Sequence, residues 1–104
     1  MQRIDHIAIQ VDNVKESVAW YIDNYDCMII YCDDTWAMLQ WDNIKLALVV
    51  DDEHPFHIAF ETEDFGPLGG VLHRDCSISR YIDDPSGNKI ELIKYPIKVN
   101  DEKR

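Results

Sequence analysis

Apolar and polar positions alternate over residues 3–11, with Ile7, Ile9 and Val11 on one face and His6, Ala8 and Gln10 on the other. That period of two predicts an opening β-strand. Asp12 or Asn13 can cap a helix, and Val14, Val18, Tyr21, Ile22 and Tyr25 then recur at helical spacing. The spacing predicts an amphipathic helix that ends at Asn24-Tyr25-Asp26. Three β-rich runs follow, over 27–32, 35–41 and 44–50, with turns at Asp33-Asp34 and Asp42-Asn43. The order is β-α-β-β-β. About half a chain after it began, the pattern restarts. His57-Ile58-Ala59-Phe60-Glu61 reads against His6-Ile7-Ala8-Ile9-Gln10, and a weaker echo, which needs a one-residue gap, sets Asn43-Ile44-Lys45-Leu46-Ala47-Leu48-Val49 against Asn88-Lys89-Ile90-Glu91-Leu92-Ile93. Two such halves imply a pseudo-twofold axis.

The second half is the shorter one. A strand is predicted over 56–62. The segment 64–72, where a helix belongs, contains Gly66, Pro67, Gly69 and Gly70, so one or two turns at best form there. It leaves room for no more than a short strand after it. A hairpin over 77–83 and 89–95 turns at Asp84-Pro85-Ser86-Gly87-Asn88, and Pro96 stops its last strand. The expected organisation is a single domain with a first unit at 1–53, a second, shortened unit at 54–96 and a charged tail at 97–104.

A chain of 104 residues suits one domain. Its 20 acidic residues against 10 basic ones give a net charge of −10. That charge repels phosphate backbones and anionic membrane surfaces, so neither nucleic acid nor membrane is expected as a partner. An anionic substrate would need a local cation or a metal. The longest apolar run, Leu46-Ala47-Leu48-Val49-Val50, is far short of the roughly 20 residues of a membrane span, and the opening residues lack an apolar signal core. Cys27, Cys32 and Cys76 are an odd count without metal-site spacing, which fits free thiols in a reducing cytoplasm.

Strand parity puts His6, His57 and Glu91 on one kind of face, away from the aliphatic layer formed by residues such as Ile7, Ile58 and Ile90. If the halves are twofold-related, His6 and His57 face each other. Two imidazoles and a carboxylate then form a facial triad suited to a divalent ion with open positions. Set against that is the plainer reading of half-exposed histidines and a solvated glutamate. Glu91 corresponds to Ala47 in the first half, so one corner is a methyl group; Gln40 is a polar candidate to reach that gap. Tyr81 falls across the hairpin from Glu91 and can act as general acid or oxyanion donor, or simply pack its ring. His54 and His73 read as loop residues, each a surface histidine or a second acid or base. Trp36, Met38 and Trp41 read as core and pocket wall. No glycine-rich phosphate loop and no Ser-His-Asp arrangement is present, and Cys32 and Cys76 have no activating neighbour.

These residues resemble the vicinal oxygen chelate superfamily, which includes glyoxalase I, bleomycin-resistance proteins, fosfomycin-resistance enzymes and extradiol dioxygenases. The resemblance rests on Ile4-Asp5-His6-Ile7-Ala8-Ile9, Trp20-Tyr21, His57-Ile58-Ala59-Phe60-Glu61, and the stretch from Tyr81-Ile82-Asp83-Asp84-Pro85 through Ser86-Gly87-Asn88-Lys89-Ile90-Glu91-Leu92. It implies an α+β fold of two βαβββ units with curved mixed sheets around a cavity. It also implies a divalent metal ion (Fe, Mn, Zn or Ni) on His6, His57 and Glu91, with Tyr81 as a catalytic residue, and a homodimer. The implied function is bidentate chelation of a small oxygenated metabolite by a lyase, isomerase or dioxygenase, with transferases also in the family. The alternative is a metal-free protein that binds a drug or aromatic cation. Ala47 stands where glyoxalase-type members carry a carboxylate, and three ligands with an open corner look more like the dioxygenase arrangement. The shortened second helix is expected to leave one side of the cavity poorly walled, a wall that a second chain can supply.

Overall fold

The structure is a computed structural model and describes residues 1–52, 54–66, 69–73 and 76–96. Its elements are β1 (Ile4–Gln10), α1 (Val14–Asn24), β2 (Met28–Cys32), β3 (Trp36–Gln40), β4 (Lys45–Val49), β5 (His57–Glu61), β6 (Val71–Leu72), β7 (Ile78–Asp83) and β8 (Lys89–Lys94). The eight strands make one mixed sheet in the order β2-β3-β4-β1-β5-β8-β7-β6. Each half contributes four strands, and the halves join through the antiparallel β1/β5 pair. The fold is α+β, as expected, with the two sheets continuous. Among the described residues no helix is long and apolar enough to cross a membrane.

The register carries the internal symmetry. Ile7 pairs with Ile58, the residue that repeats it, while His6 pairs with Ala59 and Ala8 with His57. A twofold axis through the Ile7–Ile58 pair generates both flanking pairs. The two histidines are therefore diagonal neighbours on one face of the sheet, within side-chain reach of each other. The parallel pairs repeat the relation: His6 lies beside Lys45 and His57 beside Lys89, so Ala47 and Glu91 hold equivalent places. One strand further out, Met38 pairs with Ala47 and Tyr81 with Glu91. Met38 is thus the counterpart of Tyr81.

α1 covers the opposite face. Asn13 caps it by accepting the Glu16 N–H at 2.9 Å. Val14 and Val18 pack against Ala37, Leu39 and Leu48, with Ile9, Val11 and Leu46 around them. Leu39 and Leu48 are fully buried, which stabilises the fold by about 1.5–3 kcal/mol for each side chain. On the histidine side a smaller cluster of Ala8, Ala47 and Val49 lies under Trp36 and Met38.

No helix occurs among the described residues between β5 and β6. Pro67 and Leu68, at the centre of the expected helix region, lie outside those residues, as does the tail at 97–104. The Asp64 carboxylate accepts the Gly66 N–H at 2.8 Å, Gly66 sits at φ +81°, and Arg80 Nη1 donates to the Phe65 carbonyl at 2.6 Å. Local turns thus take the place of helical bonds, and β6 is only two residues long. The shortened helix bares a different face from the one expected. Because α1 packs on the face away from His6, a matching helix would cover that outer face; Ile7, Ile58 and Ile82 remain exposed there.

The β7/β8 turn forms as predicted. Asp84 Oδ1 accepts from the backbone N–H of Ser86 and Asn88, Oδ2 accepts from Asn88 Nδ2, and Gly87 takes φ +86°. This turn sets the register that places Tyr81 across from Glu91.

Candidate metal centre

Three strands bring His6, His57 and Glu91 together, all buried. Glu91 Oε1 lies 3.3 Å from His6 Nε2 and 3.1 Å from His57 Nε2, and the rings meet edge to face at 5.5 Å. Ala59 stands between His6 and Glu91 in the sheet, and its methyl leaves the longer side chains room to meet above it.

The outer ring nitrogens decide what the inner ones can do. His6 Nδ1 lies 2.7 Å from Asp5 Oδ2, and His57 Nδ1 lies 2.8 Å from the Pro55 carbonyl. Both partners are acceptors, so each neutral ring carries its proton on Nδ1 and turns the Nε2 lone pair inward. Two imidazole lone pairs and a carboxylate oxygen then converge on one region. Left alone they repel; a proton or a cation between them turns the repulsion into attraction. Ligand atoms held about 2.0–2.2 Å from an ion lie roughly 3–3.5 Å apart along an edge of the coordination polyhedron. The two separations from Glu91 match that edge, all three ligand atoms lie within 4.8 Å of one another, and an N,N,O donor set suits a divalent ion. The three residues can hold one.

Without an ion, a proton shared between the histidines and Glu91 plays that part. Burial pushes Glu91 up, but hydrogen bonds from His57 and His6 outweigh it and hold the carboxyl at about 2. Burial pushes His6 down, yet its bonds to Asp5 and Glu91 raise it above its ordinary value.

Asp5 was not legible as part of this site. Simple alternation puts it on the Ile7 face. Instead the register slips between Ile4 and His6. Such a bulge re-aims a side chain, and here it leaves Asp5 and His6 buried side by side. The Asp5 carboxylate also accepts from Tyr95 Oη at 2.7 Å and from Lys45 Nζ at 3.0 Å. A cleft of about 570 Å³ runs behind it, lined in part by Lys45, Gln40 and Tyr95. The one hint in the sequence is the consecutive polar pair Asp5-His6 in an otherwise alternating strand.

Tyr81 comes to the edge of the triad as its register predicts. Its ring centroid is 5.1 Å from that of His57, and its hydroxyl is 3.4 Å from His54 Nδ1. Burial and the Glu91 charge push the phenol well above its ordinary value, so it stays a donor. His54 thereby joins the rim, whereas His73 pairs with the Ser79 hydroxyl at 2.6 Å. Gln40 does not fill the gap at Ala47: it pairs with Lys45, and the neighbours of Ala47 are Ala8 and Met38. The corner opposite Glu91 is apolar, with Trp36 and Met38 packed over it. All three cysteines are free.

No family model matches the chain, and no curated protein matches its sequence. Solved structures do match. Methylmalonyl-CoA epimerase from Mycobacterium tuberculosis is 18% identical, with a TM-score of 0.71 over 95% of this chain and 91% of that one. A fold of this kind is also found in the glyoxalase/bleomycin resistance protein/dioxygenase superfamily. A member of that superfamily from Vibrio splendidus 12B01 is 12% identical, with a TM-score of 0.66 over 90% of this chain and 98% of that one. A single-substitution variant of Streptomyces coelicolor methylmalonyl-CoA epimerase, in complex with 2-nitronate-propionyl-CoA, is 20% identical, with a TM-score of 0.69 over 93% and 99%. At these identities the likeness speaks for the superfamily fold, and function has to be argued from the site.

Proposed function

We propose that this chain is a metal-dependent enzyme that holds a divalent ion on His6 Nε2, His57 Nε2 and Glu91 Oε1 and acts on a small oxygenated metabolite. The observation that carries the reading is the inward convergence of two imidazole lone pairs and one carboxylate oxygen, with both outer nitrogens tied to acceptors. A bound ion of this kind supplies Lewis acidity and open positions for two adjacent substrate oxygens. Tyr81, held protonated beside His57, offers its hydroxyl as a hydrogen-bond donor or acid to a developing oxyanion. His54 stands next to that hydroxyl.

The halves of the site differ in polarity. Glu91 and Tyr81 line one side; their counterparts Ala47 and Met38, with Trp36, line the other. A substrate with its oxygens at one end and an apolar body at the other is oriented by that difference. The epimerase bound to 2-nitronate-propionyl-CoA supports a small-molecule ligand for a fold of this kind. The reaction is that of a lyase, isomerase or dioxygenase with Tyr81 as its acid. A homodimer belongs to the proposal, because the edge strand β2 leaves Met28, Ile29 and Ile30 half or more exposed.

Metal analysis and reloading of the purified protein with Fe, Mn, Zn or Ni test the reading. One ion per chain is expected, lost in His6→Ala and Glu91→Gln and retained in Tyr81→Phe. Wild-type protein that arrives empty and takes up none of the four ions sinks it. A metal-free protein that instead binds an aromatic cation is the second reading; the net charge of −10 and the stacked Tyr31–Trp36 pair at 4.4 Å favour it. Sedimentation of the same preparation reads the dimer.

A further inference from the structure

The two histidines are equivalent by symmetry and unequal by environment. His57 leans on the Pro55 carbonyl, a neutral acceptor. His6 leans on Asp5, a buried carboxylate. The residue that repeats Asp5 in the second unit is Phe56, which is exposed and offers no acceptor in its side chain. The slip that re-aims Asp5 falls inside the β1/β5 ladder, whereas Phe56 precedes β5 and stands outside that ladder. One unit has therefore acquired a carboxylate behind its ligand, and the other has not.

Asp5 is itself held firmly. Oδ2 accepts from both His6 Nδ1 and Tyr95 Oη, and Oδ1 accepts from Lys45 Nζ. Lys45 lies 5.1 Å over the Tyr95 ring. The anchors come from β4 and from the residue that follows β8, so Asp5 ties both ends of the site to β1. The Lys45 charge balances that of Asp5, which leaves Glu91 as the uncompensated anion facing the inner nitrogens.

We propose that Asp5 is a positioning residue that fixes His6 in its Nδ1–H tautomer, aims Nε2 at Glu91 and makes His6 the stronger electron donor of the two histidines. The inference rests on the metal reading above. A carboxylate behind a ligand imidazole orients the ring and raises its basicity, and loss of such a partner typically lowers metal affinity about 10–100-fold. Tyr95 and Lys45 act one step further out, by holding Asp5.

The test compares the wild type, Asp5→Asn and Tyr95→Phe as full chains, with zinc alone as the probe. Competition titration reads zinc affinity. Nitrogen-resolved NMR of the imidazoles in metal-free protein at alkaline pH reads the tautomer of each ring. The expected result is Nδ1–H at both rings of the wild type. Asp5→Asn loses about 10–100-fold in zinc affinity, with the His6 signals moved toward a tautomer mixture and those of His57 in place. Tyr95→Phe moves both readings in the same direction by less, and it decides the matter if Asp5→Asn does not fold. Wild-type affinity together with an unchanged His6 tautomer in the variants overturns the proposal, as does an Nε2–H tautomer at His6 in the wild type. If the wild type takes up no zinc, the metal reading is what has failed, and the tautomers alone judge Asp5. A selective change at His6 then upholds its role, and no change removes it.

Discussion

Ala59 is fully buried between His6 and Glu91 and contributes only a methyl group. Ala59→Leu pushes branched carbon into the space where the two side chains meet. Overpacking of this kind costs about 1–3 kcal/mol, and the separation of the ligand atoms should abolish tight zinc binding. Urea unfolding and zinc titration of the variant check both; wild-type zinc affinity in Ala59→Leu would contradict the site geometry. At this scale the sequence was informative for a definite reason. His6, His57, Glu91 and Tyr81 lie in strands whose alternation is regular, so parity and the repeated His-Ile-Ala triplet place them on one face. Asp5 escaped because a bulge is a one-residue slip that alternation alone does not reveal. Lys45 and Tyr95 escaped with it, since their role depends on where Asp5 points.

Among elements, α1 shows what local signals can settle. Its apolar spacing and its end within Asn24-Tyr25-Asp26 were readable, and its cap was narrowed to Asp12 or Asn13, because capping and a period of 3.6 are properties of a few neighbouring residues. Asn13→Ala removes the acceptor for the Glu16 N–H, and the expected loss is about 1 kcal/mol of stability. Asn13→Ser keeps an acceptor and should stay within a few tenths of a kcal/mol of the wild type. Denaturant midpoints at equal slope compare the three; an alanine variant as stable as the serine variant argues against the cap. Between β5 and β6 the sequence spoke only negatively, through Gly66, Pro67, Gly69 and Gly70. It showed that a long helix is unfavourable there, but not that Asp64 and Arg80 hold the turn, since Arg80 arrives from another strand. Nor did it show which face a lost helix bares, because that depends on the side of the sheet that α1 occupies.

Over the whole molecule, the buried charges around the triad give stability a shape in pH. Glu91 and Asp5 each have a carboxyl held at about 2, against ordinary values of 4.5 and 3.8. For Asp5, burial pushes upward and is outweighed by the bonds from His6, Tyr95 and Lys45. A depressed carboxyl contributes stability that is complete above its ordinary value and disappears as the pH falls toward about 2. His6 runs the other way. Its folded value lies above the ordinary 6.5, so its contribution is complete below that pH and is lost as the pH rises through the raised value. Metal-free protein should therefore melt highest between roughly pH 5 and 6.5, and the net charge of −10 adds self-repulsion on the alkaline side. On the proposed metal reading a divalent ion competes for the place of the His6 proton, so saturating zinc should reverse the alkaline limb and move the maximum upward. Melting temperature against pH, with and without zinc, reads both curves. A metal-free curve that climbs steadily from pH 5 to pH 8 would mean that no proton sits between His6 and Glu91, and the geometry of the triad would then need another source of charge to hold it together.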